Sequence, residues 1–173
     1  MNQASLPKVN LRAMEPEDLD LLYHIENDIQ LWDVGATSVP YSRYTLHDFI
    51  AHSSGDIYTD RQVRLIITDD QGQTIGLADL MNFDPRHNRA EVGLVIQRPF
   101  RCQGYAQATL PQLAHYAAHI LHLHQLYAVV RSDNHVARSV FQKMGYQETV
   151  TLSDWLYDGR QYAEATVLQL LLA

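Results

Sequence analysis

Arg101-Cys102-Gln103-Gly104-Tyr105-Ala106 decides how this chain is read. The six residues stand between a strand-like apolar run, Val92 to Ile96, and a helix-like run, Ala108 to Leu121. A turn of small residues at such a junction can bring several backbone N–H groups toward one point. The first turn of the following helix adds unpaired N–H donors and the positive end of its dipole. That arrangement suits a phosphate or pyrophosphate. Gly104 also has a plainer reading as the cap of an irregular turn, because glycine is the default residue there.

The spacing Arg-x-x-Gly-x-Ala fits neither of two better-known phosphate loops. No Gly-Lys-Ser/Thr tripeptide follows, as a Walker loop needs, and the three small residues of a dinucleotide fingerprint are missing. It does fit the acyl-CoA loop, Arg/Gln-x-x-Gly-x-Gly/Ala. Three further stretches stand in matching order: Leu11-Arg12-Ala13-Met14-Glu15-Pro16-Glu17-Asp18-Leu19, then Arg89-Ala90-Glu91-Val92-Gly93-Leu94-Val95-Ile96, then Asn134 through Phe141 to Gly145-Tyr146. On these residues the chain resembles the GCN5-related N-acetyltransferases, and within them the spermidine and ribosomal-protein branches. The resemblance covers most of the chain, from Leu11 to Leu170.

It implies an α/β (α+β) fold: a mixed, mostly antiparallel seven-strand sheet flanked by about four helices and splayed between strands four and five. It implies acetyl transfer from acetyl-CoA to a primary amine by direct attack, the acceptor being a small amine, a polyamine, or a protein N-terminus or lysine. The main chain of Leu94, Val95 and Ile96 would bond the pantetheine arm. Backbone amides of Arg101, Cys102, Gln103, Gly104, Tyr105 and Ala106 would surround the pyrophosphate, with any side chain at Gly104 in the phosphate's way. Asn134 matches a position that contacts the cofactor arm, and equally it suits a helix N-cap.

A general base must lie within hydrogen-bond reach of the amine proton, directly or through water. Glu91 is the candidate; its plainer reading is a strand carboxylate paired with Arg89 or another base. The general acid is unknown. Phe141 stands where the spermidine branch places a proton-donating tyrosine, and a phenyl ring cannot donate. A thiolate with a free-thiol pKa of about 8.5 is a tolerable leaving group, so losing that donor slows the reaction rather than abolishing it. Asp33-Val34-Gly35-Ala36-Thr37-Ser38-Val39-Pro40-Tyr41, where that branch binds its polyamine, holds one carboxylate. A polycation ordinarily needs several, which argues against a polyamine acceptor.

Composition sets bounds. A chain of 173 residues with 46% hydrophobic content suits one domain, core 9–172, with a sizeable interior. No apolar run approaches the about 20 residues of a membrane span, and Met1-Asn2-Gln3-Ala4-Ser5 lacks a signal peptide's build. One cysteine excludes an intrachain disulfide. A cytoplasmic protein is expected. The formal charge of −7 argues against nucleic acid as a partner and permits a cationic substrate. A homo-oligomer stays open.

Periodicity gives the remaining elements. Val9–Ala13 reads as a strand, and Leu19, Leu22, Tyr23 and Glu26 as a helix opened by Pro16. A helix is expected over Leu46–His52. Strands are expected over Val63–Thr68, Thr74–Asn82, Glu91–Ile96, Gln125–Val130, Glu148–Leu156 and Gln161–Leu172. Val136–Lys143 reads as a helix ended by Gly145. In the run from Ala108, residues 110, 113, 117, 120 and 121 form one apolar stripe, and Pro111 is expected to bend it.

Two features suggest other chemistry. Cys102 near a helix start invites a covalent role, but no partner base is in view, and a small loop residue is the simpler reading. His115, His119, His122 and His124 invite a metal, but no HExxH or paired cysteine supports it, so solvent-facing histidines and no metal are expected. The rivals to an acetyltransferase are a catalytically weak or inactive acyl-CoA-binding regulatory module on the same fold, and a metal-linked scaffold built on the histidine helix.

Overall fold

A computed structural model describes residues 5–28, 31 and 39–173. Seven strands form one sheet in the order β1-β2-β3-β4-β5-β7-β6. They are β1 (Val9–Ala13), β2 (Val63–Asp69), β3 (Thr74–Asp84), β4 (Arg89–Ile96), β5 (Gln125–Arg131), β6 (Gln147–Tyr157) and β7 (Tyr162–Leu171). Every neighbouring pair is antiparallel except β4 with β5. The mixed sheet is the one the resemblance implies.

Helices cover both faces. α4 (Tyr105–His119) and α5 (His135–Lys143) bury Leu110, Leu113, Ala117 and Phe141 against Ile67, Leu80, Val92, Leu126 and Leu168. On the other face α1 (Leu19–Glu26) and α2 (Arg43–His52) bury Leu22 and Leu46 over Ile66 and Leu77. Alternation along the strands sends successive side chains to these two cores. Among the described residues no helix is long and apolar enough to cross a membrane.

The structure corrects several boundaries. α4 starts at Tyr105 rather than Ala108, because Gly104 at φ +86° caps it and its carbonyl accepts from the Ala108 N–H at 2.9 Å. The helix ends at His119, so Ile120 leaves the apolar stripe and is 63% exposed, while Leu123 is buried in its stead. The chain stays helical on both sides of Pro111. A short helix absent from the sequence reading, α3 (Ile57–Asp60), is capped by Asp56, whose side chain accepts from the Tyr58 N–H.

Two tight features hold the frame. At Gly76 an added Cβ would lie 2.0 Å from the carbonyl oxygen of Val95, so only hydrogen lets β3 approach the end of β4. The Gln97 side chain then ties this end to the Thr74 carbonyl at 2.7 Å. Before α1, Asp18 is 5% exposed and takes a bidentate pair from Arg12 at 2.7 and 2.8 Å. Burial alone would raise its carboxyl, but the Arg12 hydrogen bonds and the Glu15 N–H outweigh it and hold the group below the usual carboxylate range.

Gly76→Ala should therefore destabilise the fold by about 3 kcal/mol or more, read from denaturant unfolding. Asp18→Asn should cost about 2 kcal/mol at neutral pH. A depressed folded pKa gives stability that is present above the unfolded value and lost as pH falls. The gap between Asp18→Asn and wild type should thus close below about pH 4.

Candidate active site

The site is built where β4 and β5 part. Their parallel pairing consists of Arg89↔Gln125, Ala90↔Leu126 and Glu91↔Tyr127. β4 nevertheless stays paired with β3 up to Gly76↔Ile96, and β5 with β7 up to Arg131↔Ala165. Beyond Glu91 the sheet is therefore forked, with residues 92–96 on one side and 128–131 on the other. By strand rise, the run from Glu91 to Ile96 is about 17 Å long. This is the expected splay.

The wide end of the fork leads into the glycine-bearing loop. Arg98–Phe100 form a 3₁₀ turn, Cys102 takes φ +60°, and Gly104 takes φ +86°. Side chains stitch the loop back on itself: Arg101 Nε donates to the Ile96 carbonyl at 2.9 Å, and Gln103 Nε2 to the Pro99 carbonyl at 2.7 Å. No side chain caps α4, and its first turn carries no acidic residue. Its leading N–H groups are those a helix leaves unpaired, so the loop fits an anion on its own geometry. Tyr105 and Ala106 lie in the helix, not in the loop.

Three expectations change in detail. The position a Cβ would take at Gly104 faces Pro7 Cδ at 3.1 Å and Leu6 Cδ2 at 3.3 Å, so the glycine makes room for the N-terminal segment and supplies a positive φ. Of the strand-end carbonyls, that of Ile96 already accepts from Arg101. Asn134 is the N-cap of α5, its side-chain oxygen accepting from the Ala137 N–H at 3.1 Å. Leu94 and Val95 lie along the fork as expected.

Glu91 stands at the narrow end, on the last residue pair before the strands separate. Ala90 and Val92 are buried beneath α4, so Glu91 and Gly93 face the α1–α2 side. Arg89 is not its partner, since that guanidinium bonds Asp84 at 3.1 Å. Glu91 Oε2 accepts instead from Asn82 Nδ2 at 2.8 Å. Opposite, the Tyr127 phenol is raised above its ordinary value, first by burial and then by the Glu91 charge. On the same face Arg64 is gripped by Asp79 at 2.8 and 2.9 Å and by Glu26. Burial opposes the Arg64 charge, and the two carboxylates more than restore it. Gly93 makes room there, because a Cβ would lie 2.4 Å from Met81 Cε and 3.3 Å from Asp79 Cβ.

Asn82, Tyr127 and the Arg64 cluster were not found by sequence reasoning. An asparagine in the run Leu80-Met81-Asn82-Phe83-Asp84 is the one signal that a bulge was there to find.

Phe141 is 6% exposed and meets Tyr146 edge-on at 5.0 Å. The Tyr146 hydroxyl is buried without a hydrogen-bond partner among the described residues, and burial pushes its phenol up. Cys102 is an exposed free thiol. His115, His119, His122 and His124 are all exposed, the first two with rings 4.4 Å apart. Of the segment Asp33 to Tyr41, residues 33–38 lie outside the described residues.

Comparison with known proteins follows the same line. A family model described as an acetyltransferase (GNAT) domain matches residues 8–147. Spermidine N(1)-acetyltransferase of Escherichia coli (strain K12) is 25% identical over 165 residues, 93% of this chain and 84% of that protein. The crystal structure of spermidine N-acetyltransferase from Vibrio cholerae in complex with CoA and spermine shares the fold at a TM-score of 0.84, with 24% identity over 95% of each chain. A dodecameric structure of the Vibrio cholerae enzyme in an intermediate state gives 0.80, with 24% identity over 95% of this chain and 94% of that one. The family expected from the loop and its flanking segments is the one found. With the family match spanning well over half its length, and a forked sheet leading into a helix start that lacks a side-chain cap, this chain belongs to the GNAT acetyltransferases.

Proposed function

We propose that this protein, as one N-acetyltransferase domain, moves an acetyl group from acetyl-CoA to a primary amine of the polyamine class. One observation carries the reading: β4–β5 pairing ends at Glu91, and the fork it opens runs to a start of α4 that no side chain caps. Acetyl-CoA brings the acetyl group as a thioester. The main chain of Leu94 and Val95 would hold its arm, with the amides of residues 102–106 near its diphosphate, the Arg101 N–H being already given to the Arg98 carbonyl at 3.3 Å. Asn134 would offer only what its capping oxygen leaves over.

At the narrow end, Glu91 takes a proton from the acceptor amine, directly or through water. The amine nitrogen bonds to the acetyl carbon, the carbon–sulfur bond breaks, and the thiolate leaves with the bonding pair. No acid is assigned to it. Phe141 has no hydroxyl to give, which predicts slower turnover than a tyrosine there would allow.

The relatives named as spermidine acetyltransferases support a polyamine acceptor, against the single carboxylate of residues 33–41. Glu26, Asp79 and Glu91 add negative charge on the face where an amine would approach, with Arg64 offsetting part of it. Family membership favours an enzyme over a non-catalytic module. A homo-oligomer in the cytoplasm is the state we propose, by analogy with the dodecameric neighbour.

Thiol release from acetyl-CoA over a panel of spermidine, spermine, monoamines and peptide N-termini tests the acceptor; polyamines should be fastest. Glu91→Gln should lower kcat by about 10² or more while leaving the acetyl-CoA thermal shift intact. An unaltered rate removes Glu91 from the reaction. Gly104→Val, a β-branched residue at positive φ, should abolish the CoA-induced rise in Tm. A full shift in that variant would contradict the loop assignment.

A further inference from the structure

β3 and β4 run in register from Gly76↔Ile96 to Met81↔Glu91, and then the register slips. The next pair is Asp84↔Arg89, so Asn82 and Phe83 together oppose Ala90. One extra residue in a strand is a β-bulge, a device that re-aims side chains. Strict alternation would put Asn82 in the core with Leu80 and expel Phe83. The bulge does the reverse. Phe83 is 5% exposed and packs edge-on against Tyr58 at 5.1 Å, while Asn82 is exposed and reaches Glu91.

The backbone at Asn82 takes φ +51°, a region that asparagine tolerates better than most residues with a side chain. A position of this kind next to a reacting group is where local strain tends to be kept. The partner chosen is informative as well. A guanidinium on Glu91 would favour its charged form and work against proton uptake, and that of Arg89, two residues away, is committed to Asp84. The Asn82 amide is neutral, so it orients the carboxylate without adding a charge to it.

We propose that Asn82 is a positioning residue: its side-chain amide, carried on the β3 bulge, holds Glu91 Oε2 so that the carboxylate faces the fork. This rests on the reading of Glu91 as the proton acceptor. Asn82 acts through Glu91, to which its amide donates.

The test separates the amide from the backbone. Gly at this position accepts the positive φ and removes only the side chain. Asn82→Gly should lower kcat about tenfold with the fastest amine of the panel, at unchanged KM for acetyl-CoA and unchanged Tm. In a double-mutant cycle, Asn82→Gly added to Glu91→Gln should cost nothing further, because the group it positions is already gone. Asn82→Asp, which keeps size and backbone tolerance but loses the donor, should be at least as slow. Wild-type kcat in Asn82→Gly, or full additivity with Glu91→Gln, overturns the proposal. If Glu91→Gln is slow and Asn82→Gly is not, only the role of Asn82 fails. If Glu91→Gln keeps the wild-type rate, the reading of Glu91 fails and this one with it.

Discussion

Three residue pairs join β4 to β5, while the ladder between β3 and β4 continues to Ile96. The rest of the site depends on that inequality. A parallel pair held along its whole length would close the sheet, and an unpaired one would detach β5, β7 and β6 from the other four strands. Gly76 works on one side, letting β3 keep hold of β4 to its end. β7 works on the other, pairing with all seven residues of β5. The opening between them is thus a product of backbone pairing, and side chains only decorate it.

What decorates the narrow end is selected for charge. Two carboxylates share the Arg64 guanidinium on the α1–α2 face, and Arg89 is turned onto Asp84. Glu91 is left with an amide donor and a phenol as neighbours, neither of them cationic. At the wide end the polarity is opposite: free main-chain donors at a helix start, with no acidic side chain in the first turn. One wedge therefore has a carboxylate at its foot and a helix start without acidic residues at its top.

Much of this could be read from the residues in order. Arg101 to Ala106 between an apolar run and a period-3.6 stripe marked the loop and the helix that follows it. Long-range effects were not legible. The start of α4 was set three residues too late, because Gly104 looked like loop rather than cap. The role given to Gly104 missed Leu6 and Pro7, almost a hundred positions away. Alternation makes Asn82 the last residue of a regular strand, and it cannot reveal a bulge whose side chain bonds across to the next strand.

The packing of Leu6 and Pro7 behind Gly104 has a consequence of its own. The conformation of the hexapeptide is not self-contained. Its turn angles come from Gly104 and Cys102, but its back rests on a segment from the opposite end of the chain, whose next strand is clipped to α4 through the Gln112 side chain and the Val9 carbonyl. Transplanting the six residues into another scaffold would carry the sequence of the anion cradle without the wall that it leans on.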